Sequence, residues 1–242
     1  MKDVARAFEE ARHDPNLVVI EGFHAWKHAI RFGAEIELAV ACDRGELTRL
    51  AESLAPDVCQ VMAEAAELVT ATQFRALSAH PPRTNVMAIA KKPTFSAAKV
   101  IAKDDGRPVV LLEEPHNLGN VGASIRVAAA AGAGAVVTTG TVDPWGAAAV
   151  RGSAGLHFAI AVGTVGADFA SERIIVAADP EGESIDHASL PGGAILAFGT
   201  EREGLSDRLL ARADRRVRIP MRAGVSSLNL ATSVAVFLYR RG

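Results

Sequence analysis

Glu113-Glu114-Pro115-His116-Asn117-Leu118-Gly119-Asn120-Val121-Gly122-Ala123-Ser124-Ile125-Arg126 is the stretch that decides the fold of this chain. It follows the continuous apolar run Val109-Val110-Leu111-Leu112 and leads into a helical pattern from Val121 to Ala131. An apolar run without polar alternation suits a strand buried on both faces of a parallel sheet, with helices covering it. Outward from there the unit recurs. Ala135-Val136-Val137, Phe158 to Val162, Ile174-Ile175-Val176 and Ile195-Leu196-Ala197-Phe198 read as further buried strands. Helices are expected at Trp145 to Arg151, Leu205 to Ala213 and Ser227 to Tyr239. Residues 108–242 therefore predict an α/β domain with a mostly parallel sheet and helices on both faces.

Upstream, the stretch from Lys91 to Pro108 is polar, with prolines at 93 and 108 and no long apolar run, which predicts an inter-domain linker over roughly 91–107. Residues 1–92 read as a small α/β domain. Leu17-Val18-Val19-Ile20 and Ile36 to Ala41 are strand runs. Between them Phe23, Trp26 and Ile30 fall at helical spacing, with Gly33 as the stop. Val58 to Met62 and Val86 to Ala90 are weaker strand candidates.

The 242 residues carry 26 Lys+Arg against 28 Asp+Glu, a formal charge of -2, so the chain is no uniformly basic nucleic-acid binder. A local basic patch is still allowed. With 49% hydrophobic and 22% charged residues, a disordered chain is excluded. Cys42 and Cys59 stand apart and read as free thiols in a reducing compartment. The N-terminal residues carry acids and lack the apolar stretch of a signal peptide. The Ala/Gly-rich segment Val127 to Val137 is far short of the ~20 residues of a membrane span. A cytoplasmic protein with no membrane contact is expected.

Chemistry in an open α/β sheet gathers outside the carboxyl ends of the strands. Three such segments stand out: Glu113 to Arg126, Phe198 to Leu205, and Ile219 to Asn229. The first is no dinucleotide fingerprint, because GxGxxG would need glycine where Asn117 stands, and no acid ends the next strand. Nor is it a P-loop, having no Gly-Lys-Ser or Gly-Lys-Thr. His24 and His28 lie four apart but lack further ligands, so no metal site is expected.

Taken together the three segments resemble the motifs of the SpoU-type RNA 2′-O-ribose methyltransferases of the SPOUT superfamily. The Asn-x-Gly-x-x-x-Arg motif matches Asn120, Gly122 and Arg126, and Asn117-Leu118-Gly119 is a near-duplicate. Gly-x-Glu-x-x-Gly-Leu matches Gly199, Glu201, Gly204 and Leu205. Ile219-Pro220-Met221 with Ser227-Leu228-Asn229 matches the third. Val19-Ile20-Glu21-Gly22-Phe23-His24-Ala25 looks like the opening of the family's small RNA-binding domain, which resembles a ribosomal protein. His80 to Val86 departs from it by lacking an expected glycine.

The resemblance implies an S-adenosylmethionine cofactor, a C-terminal trefoil knot, a homodimer and an RNA substrate, ribosomal ahead of transfer RNA. It casts Arg126, Asn120, Glu201, Ser227 and Asn229 as catalytic. Gly199, Ile219, Met221 and Leu228 become the cofactor positions. A guanidinium stays protonated in proteins, with a pKa above ~12. The family's arginine base therefore needs either a substrate phosphate to take a proton or a purely electrostatic role. Asn120 either caps its helix or orients the ribose. Gly122 leaves room for close backbone or ligand approach. Arg208, Arg212, Arg215, Arg216, Arg218 and Arg222 crowd into fifteen positions, and with Arg151 they are candidate RNA phosphate contacts. Two other readings stay open: an idle RNA-binding module on the same fold, and an RNA base methyltransferase.

Overall fold

The computed structural model of the chain describes residues 3–102, 104–200 and 203–240. Two compact units form. One comprises residues 1–94 with 154–159, the other residues 95–153 with 160–242.

In the first unit the order is α1 (Val4–His13), β1 (Leu17–Glu21), α2 (Phe23–Arg31), β2 (Ile36–Ala41), α3 (Arg44–Leu54), α4 (Cys59–Ala65), β3 (Ala66–Leu68), α5 (Ala71–Ala76) and β4 (Val86–Lys91). The sheet runs β1-β4-β2-β3, antiparallel at its first two pairings and parallel at β2/β3. Phe8, Val19, Val40, Phe74, Met87 and Ile89 form its core. Gly33 takes φ 78° just past α2, where a side chain would be strained. The expected strand at Val58 to Met62 is a helix instead. Val58, Met62 and Ala66 are buried four residues apart while Val61 is half exposed, which is helical and not alternating burial.

In the second unit the elements are α6 (Ala97–Ala102), β5 (Val109–Leu112), α7 (Leu118–Ala130), β6 (Ala135–Thr138), α8 (Ala147–Gly152), β7 (Ala161–Thr164), β8 (Ile175–Ser184), β9 (Ile195–Phe198), α9 (Asp207–Arg212), β10 (Arg215–Arg218) and α10 (Leu230–Arg240). All five pairings of the six-stranded sheet, ordered β10-β8-β9-β5-β6-β7, are parallel. Val109, Leu111, Val137, Ala177 and Ile195 fill the core on one face. Their alternates Val110, Leu112, Val136, Val176 and Leu196 are equally buried on the other, so both faces are covered.

Three expectations shift. Residues 91–107 include α6, whose Ile101 is fully buried in that core. The side chain of Arg173 is 1% exposed and ties the same stretch down. Its Nη1 donates to the carbonyl oxygens of Arg107 and Gly193, each at 2.7 Å, and its Nη2 pairs with Asp105 at 3.2 Å. Phe158 to Val162 divides into a short 3-10 turn at Leu156–Phe158 and then β7. Lastly, β10 joins the sheet edge although it is nearly all arginine, with Val217 as its one buried residue.

Candidate functional site

The three motif segments begin where β5, β9 and β10 end, at Glu113, Gly199 and Ile219. β5 and β9 are neighbours in register, Leu112 opposite Phe198, which brings the first two segments side by side. The third runs from β10 to α10. Phe198 meets Phe237 of α10 edge-on, with ring centroids 5.2 Å apart, seating that helix on the sheet.

The helix of the first motif starts one residue after Asn117, which is its N-cap. The Asn117 side chain accepts hydrogen bonds from the backbone of Gly119 and Asn120 at 2.8 and 3.2 Å. Asn120 therefore does not cap α7. It lies in the first turn, and its Oδ1 accepts a hydrogen bond from Asn229 Nδ2 at 3.0 Å. Asn229 in turn uses Oδ1 to accept the backbone N–H of Ala231 at 3.0 Å, holding the first turn of α10. One bond thus joins the first motif to the third across 109 residues.

Gly122 serves helix packing. A Cβ there would stand 2.3 Å from the Ala149 carbonyl oxygen, so α7 and α8 touch through their backbones. The side chain of Arg126, on the exposed side of α7, makes no hydrogen bond or ion pair among the described residues.

In the second motif a Cβ on Gly199 would meet Gly204 backbone atoms at 2.0 Å. That absence of a side chain permits the tight return in which Thr200 and Gly204 exchange two backbone hydrogen bonds of 3.1 Å. Gly204 itself takes φ 70°. Glu201 lies outside the described residues.

A cavity of about 580 Å³ opens between these loops. Gly199, Ile219, Met221, Ser227 and Leu228 all line it, so the structure brings the expected cofactor positions to one place, with Ser227. Asn120, Arg126 and Asn229 are not among its lining residues. Met221 and Leu228 are each 37% exposed, large apolar side chains presented to an open space. Charged residues, Asp179 and Arg216 among them, line the cavity as well. Asp179 is buried and pairs with Arg216 Nε, while its other oxygen accepts the Glu181 N–H at 2.9 Å. This pairing raises the Arg216 pKa above its ordinary value.

Most of the arginine cluster is engaged by partners within the protein. Arg208 pairs with Asp168. Arg212 donates to the carbonyls of Ala167 and Phe169 at 3.0 and 2.5 Å and stacks 4.3 Å over the Phe169 ring. Arg215 donates to Ser189 O at 2.9 Å and Arg218 to Gly182 O at 2.6 Å. Arg222 alone of the six makes no side-chain bond among the described residues. Arg151, exposed in the last turn of α8, has protein partners of its own.

His28, on α2, places Nδ1 2.8 Å from the Ala154 carbonyl oxygen, and burial pushes its pKa below the usual histidine range. Among the described residues no group of three or more His, Cys, Asp or Glu could hold a metal ion, and no helix is long and apolar enough to cross a membrane.

Two residues that pattern reading passed over complete the geometry: Glu113 and Ser206. The Glu113 carboxylate accepts the Ser206 N–H at 2.7 Å and the Ser206 hydroxyl at 2.6 Å. Only their positions, Glu113 opening the first motif segment and Ser206 just past the second, hinted at it.

Residues 107–239 match the SpoU rRNA Methylase family. The chain belongs to that family. It is 34% identical over 208 residues to a tRNA/rRNA methyltransferase of Mycobacterium tuberculosis described as uncharacterized, covering 80% of this chain and 70% of the relative. It is 26% identical over 244 residues to the 23S rRNA (guanosine(2553)-2′-O)-methyltransferase of Bacillus subtilis, covering 96% and 90%. Among solved structures, an RNA 2′-O ribose methyltransferase superposes with a TM-score of 0.75 at 28% identity, over 99% of this chain and 93% of that one. An S-adenosylmethionine-bound rRNA methyltransferase from Sinorhizobium meliloti gives 0.77 at 24% identity over 99% and 92%, a likeness of fold. The SpoU family thus has this parallel α/β fold, and the motif resemblance pointed to it.

Proposed function

We propose that this SpoU-family chain methylates a ribose 2′-hydroxyl of RNA, with ribosomal RNA as the leading substrate class and S-adenosylmethionine as methyl donor. The observation that carries this is the convergence of the second and third motif loops on one cavity while the Asn120–Asn229 bond draws in the first. The cavity suits the cofactor. About 580 Å³ falls within the roughly 300–1,000 Å³ of small-molecule sites. Ile219, Met221 and Leu228 offer apolar faces to an aromatic base, and the tight Gly199–Gly204 return brings backbone groups to the cavity wall. When bound, the cofactor supplies an electrophilic methyl group.

The chain's own residues account for the rest. Arg126 presents a guanidinium with no protein partner among the described residues, so its charge is available to the reacting oxygen or an adjacent phosphate. Because guanidinium holds its proton, we assign Arg126 the electrostatic role, with the hydroxyl proton leaving to a neighbouring substrate phosphate or to water. Asn120, held by its bond to Asn229, orients the ribose, and Ser227, which lines the cavity, offers a hydroxyl. Glu201 belongs with them by its place in the second motif. Residues 1–92 capture RNA, residues 108–242 carry the chemistry in a trefoil-knotted homodimer, and the protein works in the cytoplasm without a metal ion.

Replacing Arg126 by Ala in the full chain tests the reading. Methyl transfer to RNA should fall by at least ~100-fold while S-adenosylmethionine affinity stays within about threefold. Lysine should rescue poorly, since it lacks the planar fork. Near-normal turnover of the alanine variant would refute the assignment. A wild-type protein that binds no cofactor points to the idle module, and a product methylated on a base to the third reading.

A further inference from the structure

The loop that forms one wall of the cavity leaves and returns to a single residue. Glu113 donates its backbone N–H to the Phe198 carbonyl oxygen at 2.8 Å, where the loop departs from β9. Its carboxylate then holds the far end, accepting the Ser206 N–H at 2.7 Å and the Ser206 hydroxyl at 2.6 Å. Between these anchors Gly199, Thr200, Glu203, Gly204 and Leu205 all line the cavity. Ser206 passes the constraint on, because its Oγ also accepts the Leu209 N–H at 3.2 Å and caps α9. Among the described residues the remaining hydrogen bonds of the return are local, the paired Thr200–Gly204 bonds and the Glu203 N–H to Thr200 Oγ1 at 3.1 Å, while Leu205 packs into the core. Those bonds shape the turn, and none of them ties it to the rest of the sheet.

We propose that Glu113 is a positioning residue for cofactor affinity, holding Gly199, Thr200 and the Glu203–Ser206 return in place at the cavity without taking part in methyl transfer. The proposal rests on the cofactor reading above. A preformed loop binds without the cost of ordering itself, so releasing the loop weakens binding more than it slows the reaction of bound cofactor. The role is geometric, and charge is secondary to it. A glutamine at the position can still accept from the Ser206 N–H and donate its amide to the Ser206 hydroxyl.

The test uses the full chain and three variants. Hydrogen–deuterium exchange of the ligand-free protein, calorimetric binding of S-adenosylmethionine, and steady-state kinetics with RNA are compared. For Glu113→Ala, exchange across residues 199–206 should rise at least tenfold, and cofactor Kd and KM about tenfold. Turnover at saturating cofactor should stay within about threefold and KM for RNA should not move. Glu113→Gln should stay within about threefold of wild type throughout. Ser206→Ala keeps the backbone bond and should give an intermediate weakening, about threefold, which carries the test should Glu113→Ala fail to fold. Unchanged exchange and unchanged Kd in Glu113→Ala overturn the proposal. So does a Gln variant whose turnover collapses, because that places the carboxylate's charge in the chemistry. A wild-type chain that binds no S-adenosylmethionine overturns the cofactor reading and the affinity claim with it, while the exchange arm still decides whether Glu113 holds the return in place.

Discussion

The bond between Asn120 and Asn229 should be measurable as a coupling energy. Asn229 does two jobs. Its Oδ1 accepts the Ala231 N–H at 3.0 Å and, more weakly, the Thr232 N–H at 3.4 Å, while its Nδ2 donates to Asn120 at 3.0 Å. Asn229→Ala removes both. Losing the helix cap costs about 1 kcal/mol, and losing a largely solvent-exposed side-chain hydrogen bond costs about 0.5–1 kcal/mol, giving roughly 1.5–2 kcal/mol. Asn229→Ser separates the jobs, because serine caps as well as asparagine but is too short to reach Asn120, so only the 0.5–1 kcal/mol share should be lost (about a third to a half of the alanine effect). In the double-mutant cycle with Asn120→Ala the coupling should again be about 0.5–1 kcal/mol. Trp145 reports on this unit, being buried with its Nε1 bonded to Val162 O at 3.0 Å. Urea unfolding followed by its fluorescence, in a Trp26→Phe background and at one fixed protein concentration, gives the energies. A coupling below about 0.3 kcal/mol, or a serine variant as unstable as alanine, would refute the account of this bridge.

Three further outcomes follow from packing and charge. Gly122→Ala should destabilise the second unit by about 1–3 kcal/mol in thermal melts, since the new methyl would sit 2.3 Å from the Ala149 carbonyl oxygen and the two helices must part. Arg107, with help from Arg173, holds the Asp105 carboxyl down to about 2. A depressed acid stabilises fully above its unfolded pKa of about 3.9, and that share is lost as pH falls through about 2, so Asp105→Asn should flatten the acid limb of stability only between about pH 4 and 2. A chain beginning at Asp105 should be less stable by about 2–4 kcal/mol than one beginning at Phe95, because it lacks the buried Ile101 and the Val100 carbonyl that Arg173 Nη2 reaches at 3.3 Å; equal urea midpoints would contradict this.

The sequence made the central sheet legible because burial on both faces leaves a strand no polar positions, as in Val109 to Leu112 and Ile195 to Phe198. That signal vanishes at the sheet edge. Arg215-Arg216-Val217-Arg218 is a strand only because β8 offers it partners, and nothing in its own pattern declares it. Val58 to Met62 misled for the opposite reason: a short run of apolar residues fits either period until burial four residues apart decides between them. At the site, the loops announced themselves by their glycines and their place after strands. The side chains that hold the loops did not. Glu113 and Ser206 stand 93 residues apart, and Asn120 and Asn229 stand 109 apart. No local spacing rule reaches across such distances, and the roles of Asn117 and Asn120, three apart, are divided only by where the helix begins.

The same edge strand explains why a run rich in arginine need not be an RNA surface. An exposed edge invites pairing with another chain, and charged side chains along it discourage that. Arg216 and Arg218 on β10 each find a carboxylate or carbonyl of the neighbouring β8 segment, and Arg215 reaches the Ser189 carbonyl oxygen. These contacts fix the guanidiniums along the strand, so drawing one to a phosphate means giving up a bond already made. Arg126 and Arg222 have no such partner among the described residues. They lie on the helix and the loop that the Asn120–Asn229 bond joins. The positive charge not engaged by described residues of this unit therefore includes two groups that belong to the first and third motifs and not to the sheet edge.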